Sequence, residues 1–152
     1  MNLLFFLTPK ATCSYVLEDY TIRQALERME NSCYASLPIL SRSGKYVGTL
    51  TEGDLLWAIK NEYLMNMHEA EQRPISKIRR RYDNRPVQAD TSIDDLVSTA
   101  ADQNFVPVID DKGDFIGIVT RKAILQYCLS NYIRPDTHMP VRMVPALQAA
   151  CG

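Results

Sequence analysis

The chain has 152 residues, 46% of them hydrophobic and 23% charged, with a net charge of −1. This suits one globular domain, or two half-domains sharing a core, and excludes a global field for nucleic acid or an anionic membrane. The early apolar run Leu3-Leu4-Phe5-Phe6-Leu7 is far shorter than the ~20 residues of a membrane span and lacks the flanks of a secretory signal.

In chain order, Tyr15-Val16-Leu17 predicts a short strand. Thr21 then offers an N-cap to a helix carrying Ile22, Ala25, Leu26 and Met29 at helical spacing. Leu37 to Leu40 predicts a strand, Ser41-Arg42-Ser43-Gly44 a hairpin turn, and Tyr46 to Leu50 the returning strand. Glu52-Gly53-Asp54 opens a helix with Leu55, Leu56, Ile59 and Tyr63. A basic segment follows, from Arg73 to Arg85, with six cationic residues against Asp83 alone. Next come a strand at Val87-Gln88-Ala89 and a helix capped by Thr91 or Ser92 and carrying Ile93, Leu96, Val97 and Ala100. Two strands, Phe105 to Ile109 and Phe115 to Val119, lead into a last helix with Ile124, Leu125, Cys128 and Tyr132. Pro135, Pro140 and Pro145 interrupt any helix beyond, so 134–152 is expected to be a loosely packed or flexible tail.

The second series repeats the first. Pro38 returns as Pro107, Gly44 as Gly113, Gly48 as Gly117 and Thr51 as Thr120, each 69 residues on. The first helices are offset by 71, which places two extra residues of the first copy near Ser32-Cys33. A supersecondary unit of this length used twice predicts one pseudo-symmetric body. The expected division is 1–72 for the first repeat with its opening segment, 73–133 for the basic linker and second repeat, and 134–152 for the tail.

Three motifs, repeated in register, resemble those of the CBS-domain pair, or Bateman module, over residues 5–133. They are the opener Thr8-Pro9-Lys10, the hydrophobic-Pro-hydrophobic strands at Pro38 and Pro107, and the turn Gly48-Thr49-Leu50-Thr51-Glu52-Gly53-Asp54. The resemblance implies an α/β (α+β) fold: two βαββα repeats packed sheet to sheet with pseudo-twofold symmetry and two clefts between them. It further implies a free-standing, non-catalytic sensor of an adenosine ligand (AMP, ADP, ATP, S-adenosylmethionine or cyclic di-AMP) that forms a homodimer and signals to a regulated protein not identified by the sequence. A structural or oligomerisation module with empty clefts is the alternative.

Thr51 and Asp54 stand at a strand-to-helix junction. There a carboxylate can bond a ribose diol, or Thr51 and Asp54 can form a capping box. In the second copy Ala123 replaces the acid, while Arg121 and Lys122 offer cations to a phosphate. By the resemblance, the first cleft pairs Thr51 and Asp54 with Val87, Gln88, Phe105, Val106 and Pro107, with Arg81 and Arg85 near a phosphate. The second pairs Thr120, Arg121 and Lys122 with Lys10, Ser14, Tyr34, Ala35, Ser36 and Pro38. Tyr34 reads equally as a half-buried edge aromatic or a base contact, and Arg79-Arg80-Arg81 as a solvated linker or a phosphate contact.

No pattern supports catalysis or a metal. His68 and His138 have no ligand-like or triad-like neighbours in sequence. Trp57, Met65 and Met67 read as core or oligomer contacts rather than a cofactor box. Cys13, Cys33, Cys128 and Cys151 form no CxxC, so four reduced thiols and a cytoplasmic location are expected. No nucleic-acid motif or interleaved aromatics accompany the basic segment.

Overall fold

The computed structural model describes residues 2–132; the expected tail lies outside them. After a 3-10 turn at Leu3–Phe6, the chain forms β1 (Thr8–Pro9), β2 (Val16–Leu17), α1 (Ile22–Ser32), β3 (Ser36–Leu40), β4 (Tyr46–Thr51) and α2 (Glu52–Asn61). A short α3 (Met67–Ala70) precedes β5 (Val87–Gln88), α4 (Ile93–Asp102), β6 (Phe105–Ile109), β7 (Phe115–Thr120) and α5 (Arg121–Tyr132). The two βαββα units are therefore β2–α2, and β5–β7 with α4 and α5.

Local chemistry sets the boundaries. The Thr21 hydroxyl accepts from the Gln24 N–H while the Gln24 side chain accepts from the Thr21 N–H, a reciprocal capping box that starts α1. Ser92, rather than Thr91, caps α4, and Asp94 and Asp95 complement its positive end. α1 has eleven residues against ten in α4, and ends on Cys33 in the left-handed region. One added helical residue and one added cap residue account for the offset of 71. Gly44 and Gly113 hold φ of 90° and 83° in the two hairpin turns, which a Cβ would disfavour.

One sheet has the order β2-β3-β4, the other β1-β7-β6-β5. In each unit the first strand runs parallel to the second and the second antiparallel to the third. Each prolyl residue precedes the short parallel pairing: β2 meets β3 only at Ile39 and Leu40, and β5 meets β6 only at Val108 and Ile109. Pro38 and Pro107 thus lie where one flank of the strand has no neighbour and a missing N–H is tolerated. Each unit has its own apolar core. The first is built on Val16, Ile22, Leu37, Leu50 and Leu55; the second on Leu96, Val106, Val108, Val119 and Ile124. A third cluster, Leu40, Phe105, Phe115 and Ile118, joins the sheets. The hairpins meet at equivalent positions, where Lys45 Nζ lies 2.8 Å from Asp114 Oδ1.

The segments that precede each unit are exchanged. β1, grouped with the first repeat by chain order, pairs antiparallel with β7, and Leu3 is buried in the second core. Conversely, residues 80–84 of the linker lie on β4 of the first unit, through bonds to Thr49. Gly48 and Gly117 mark the two crossings. A Cβ on Gly117 would collide with the Thr8 carbonyl, and one on Gly48 would lie 2.5 Å from Asp83 Oδ1. Cys13 and Cys128 are free thiols; Cys33 is not, which corrects the expectation of four thiols. No helix among the described residues is long and apolar enough to cross a membrane.

Candidate functional site

The two inter-repeat clefts differ. The second is open, with a volume of about 440 Å³. It brings together Ser14, Tyr34, Ala35, Ser36 and Pro38 of the first repeat with Thr120 and Lys122 of the second, as the sequence grouping had them. It also takes in Thr8, Asn104, Ile118 and Phe105, the last of which was assigned to the other cleft. Its aromatic and apolar lining includes Tyr34, Pro38, Phe105 and Ile118. Hydroxyls and an amide supply the polar lining, where Asn104 Nδ2 donates to Ser36 Oγ at 2.8 Å. Thr120 Oγ1 caps α5 by accepting from the Ala123 N–H at 3.1 Å. Lys122 is exposed in the first turn of α5, has no ion-pair partner among the described residues, and leaves its ammonium available to an anion.

Two expected members lie elsewhere. Arg121 Nε donates to the carbonyls of Ala100 at 3.0 Å and Gln103 at 3.1 Å, so its guanidinium caps the negative end of α4. Lys10 Nζ lies 5.8 Å from the Tyr15 ring centroid and beside the Gly44 turn, outside the cleft lining.

At the first cleft, linker residues 81–84 bond directly to Thr49 and Asp54. Of the two alternatives for Thr51 and Asp54, the reciprocal capping box is formed. Thr51 Oγ1 accepts from the Asp54 N–H at 3.0 Å, and Asp54 Oδ2 accepts from the Thr51 N–H at 3.1 Å. Asp54 Oδ1 accepts from the Arg81 N–H at 3.2 Å, and the residue is only 2% exposed. Asp83 Oδ1 accepts from the Thr49 N–H at 2.9 Å and from Arg80 Nε at 2.8 Å. Burial pulls the Asp83 pKa up, but the Arg80 bond, the Thr49 N–H and the Arg80 charge together hold it below the ordinary carboxylate value. Asn84, 2% exposed, donates its N–H to Thr49 Oγ1 and its side-chain amide to the Phe105 carbonyl. Tyr46 Oη donates to the Asn84 carbonyl at 2.7 Å, and burial pushes its phenol up to about 12.

Arg81 apart, the remaining expected members of that cleft are dispersed. Val106 and Pro107 are buried within the sheet, Val87 packs on the second core, and Gln88 is exposed. Arg81 stacks on Trp57 at 5.3 Å, beside a depression formed with Asp54, Lys60 and Arg79. Arg85 is exposed at its side chain, while its backbone N–H donates to Gln103 Oε1 at 2.7 Å. Sequence reasoning missed Asp83, Asn84, Gln103 and Asn104. The available signal was the repeated Gly48 and Gly117, since glycine inside a strand marks a close backbone approach.

This exchanged, two-sheet βαββα architecture with clefts between its halves defines a class of paired-repeat folds. The CBS domain family model matches residues 10–61 and 78–130, more than half of the sequence, and the chain belongs to that family. Among solved structures, CbpB in complex with c-di-AMP is similar at a TM-score of 0.75 and 24% identity, covering 86% of this chain and 85% of that one. CBSX2 in complex with AMP is similar at a TM-score of 0.69 and 22% identity, covering 86% and 98%. A homoserine O-acetyltransferase of Methanosarcina acetivorans is 28% identical over 109 residues, 72% of this chain. The chain spans only 19% of the length of that relative.

Proposed function

We propose that the protein is a non-catalytic regulatory module that binds an adenine nucleotide in the open cleft and passes the bound state to a partner protein. The observation that carries this is the composition of that cleft. Tyr34, Pro38 and Phe105 line it together with the hydroxyl-bearing Ser14, Ser36 and Thr120 and with Lys122, which has no ion-pair partner among the described residues. The apolar side chains suit a purine, the hydroxyls suit a ribose, and the ammonium suits a phosphate. Its volume falls in the range of small-ligand sites, ~300–1,000 Å³. Similar folds hold AMP and c-di-AMP, which supports the ligand class without selecting between AMP, ADP, ATP and cyclic di-AMP. The acetyltransferase activity of the longer relative forms no part of this reading.

The test is a thermal-shift series with those four nucleotides. A ligand at 100 times its Kd stabilises the folded state by about 2.7 kcal/mol. The rise should shrink in Lys122→Ala for each phosphorylated ligand, with adenosine as the control lacking a phosphate. No response to any of the four would leave the oligomerisation reading, which Ala123 favours by removing the second ribose carboxylate. We also propose a homodimer contact on α2 and α5, where the repeat equivalents Leu56 and Leu125 are exposed, as are Trp57 and Leu129 on the same helices.

A further inference from the structure

We infer that residues 80–85 are a latch that closes the cleft of Thr51 and Asp54 and is tied to the open cleft through Asn104. The latch is mostly polar: between Ile78 and Val87 the chain reads Arg79-Arg80-Arg81-Tyr82-Asp83-Asn84-Arg85-Pro86, with no Ala, Val, Leu, Ile or Met among them. It is held by hydrogen bonds to the first unit at Thr49, Tyr46 and Asp54, and to the second at Gln103 and Phe105. Segments held this way open at lower cost than segments anchored in a core, because little buried apolar surface has to be exposed, here chiefly Trp57 under Arg81 and Tyr46 beside Asn84. Opening would break the Arg81 N–H bond to Asp54 and return that carboxylate to solvent beside Thr51.

The tie is one side chain. Asn104 Nδ2 donates to Ser36 Oγ at 2.8 Å in the open cleft, while Asn104 Oδ1 accepts from Asn84 Nδ2 at 3.4 Å and from the Phe105 N–H at 3.1 Å. An occupant that takes the Ser36 hydroxyl or the Asn104 amide competes with this set and frees Asn104 beside the buried Asn84. Ligand in one cleft thereby biases the closure of the other, to the extent of its differential affinity for the two states.

The ligand half of this rests on the proposed nucleotide reading; the latch half does not, and the test separates them. The amides of Thr49, Arg81, Asn84 and Arg85 each donate to a side chain within the latch set, so NMR-detected hydrogen exchange reads closure directly. They should be protected in the wild-type protein without nucleotide. Gly48→Ala, whose methyl would displace the Arg80–Asp83 pair, should speed all four while α4 amides such as Leu96 hold. Ser36→Ala cuts the tie without any ligand and should speed the same four by roughly fivefold, about one hydrogen bond's worth. Saturating AMP should act in the same direction.

Wild-type amides exchanging at free-loop rates would overturn the latch. Release by Gly48→Ala with no effect of Ser36→Ala would overturn the tie, as would bound AMP that leaves the four amides unchanged. If AMP does not bind, the nucleotide reading falls and Ser36→Ala alone decides the tie.

Discussion

Replacing Asp54 by asparagine separates the two roles that its spacing from Thr51 permits. The carboxylate accepts two backbone N–H groups, from Thr51 at 3.1 Å and Arg81 at 3.2 Å, and is almost fully buried. An amide of the same shape has one acceptor oxygen, so one N–H must then face the NH2 of the substituted side chain, donor against donor. Hydrogen bonds to a charged group contribute about 1.5–3 kcal/mol each, and an unpaired buried donor costs about 1–3 kcal/mol. Asp54→Asn should therefore destabilise the fold by about 2–3 kcal/mol, with some helix-capping loss included. For a chain of this size that lowers Tm by about 4–12 °C. Urea denaturation measures the first quantity and a calorimetric scan the second. Because Asp54 lies outside the open cleft, calorimetric AMP affinity should change by less than about twofold, well under the tenfold of 1.4 kcal/mol. A mutant of wild-type stability with tenfold weaker AMP binding would refute this reasoning and put the ribose on Asp54.

Tyr46 supplies a pH test. Its phenol ionises near 10 in an unfolded chain and at about 12 in the fold, so its contribution is intact below pH 10 and lost as pH rises towards 12. The loss of about 2–3 kcal/mol over that window should vanish in Tyr46→Phe, and an unchanged alkaline slope would reject the assignment. Gly117→Ala should cost about 1–3 kcal/mol by forcing β1 away from β7, seen as a lower urea midpoint; equal midpoints would mean that β1 relaxes freely. Light scattering at micromolar concentration should give a dimer mass, with Leu56→Glu or Leu125→Glu shifting it to monomer; a monomeric wild type removes the dimer.

The βαββα order was legible because each element carries local chemistry: Thr21 and Ser92 at helix starts, Gly44 and Gly113 in hairpins, apolar runs at Leu37–Leu40 and Phe105–Ile109. Much of the lining of the open cleft was legible as well, through the resemblance to the CBS-domain pair, which implies Thr120 beside the strand of Pro38, as the cleft lining has them. The closed cleft was not. Its closure depends on which neighbour the linker touches, and Asp83, Asn84 and Gln103 are residues that solvated loops carry just as readily. Arg121 was misplaced for a related reason. At the start of α5 it reads as an anion ligand, and only the tertiary fold brings the carbonyl end of α4 beside it. The same holds for Thr8 and Leu3, whose partners belong to the other repeat.

A crystal structure of the protein grown with AMP shows directly where a nucleotide sits. The expected result is one AMP per chain in the cleft of Tyr34, Ser36, Thr120 and Lys122, with its phosphate at the Lys122 ammonium. AMP beside Asp54 with Tyr34 uncovered, or both clefts empty at saturating AMP, would contradict it.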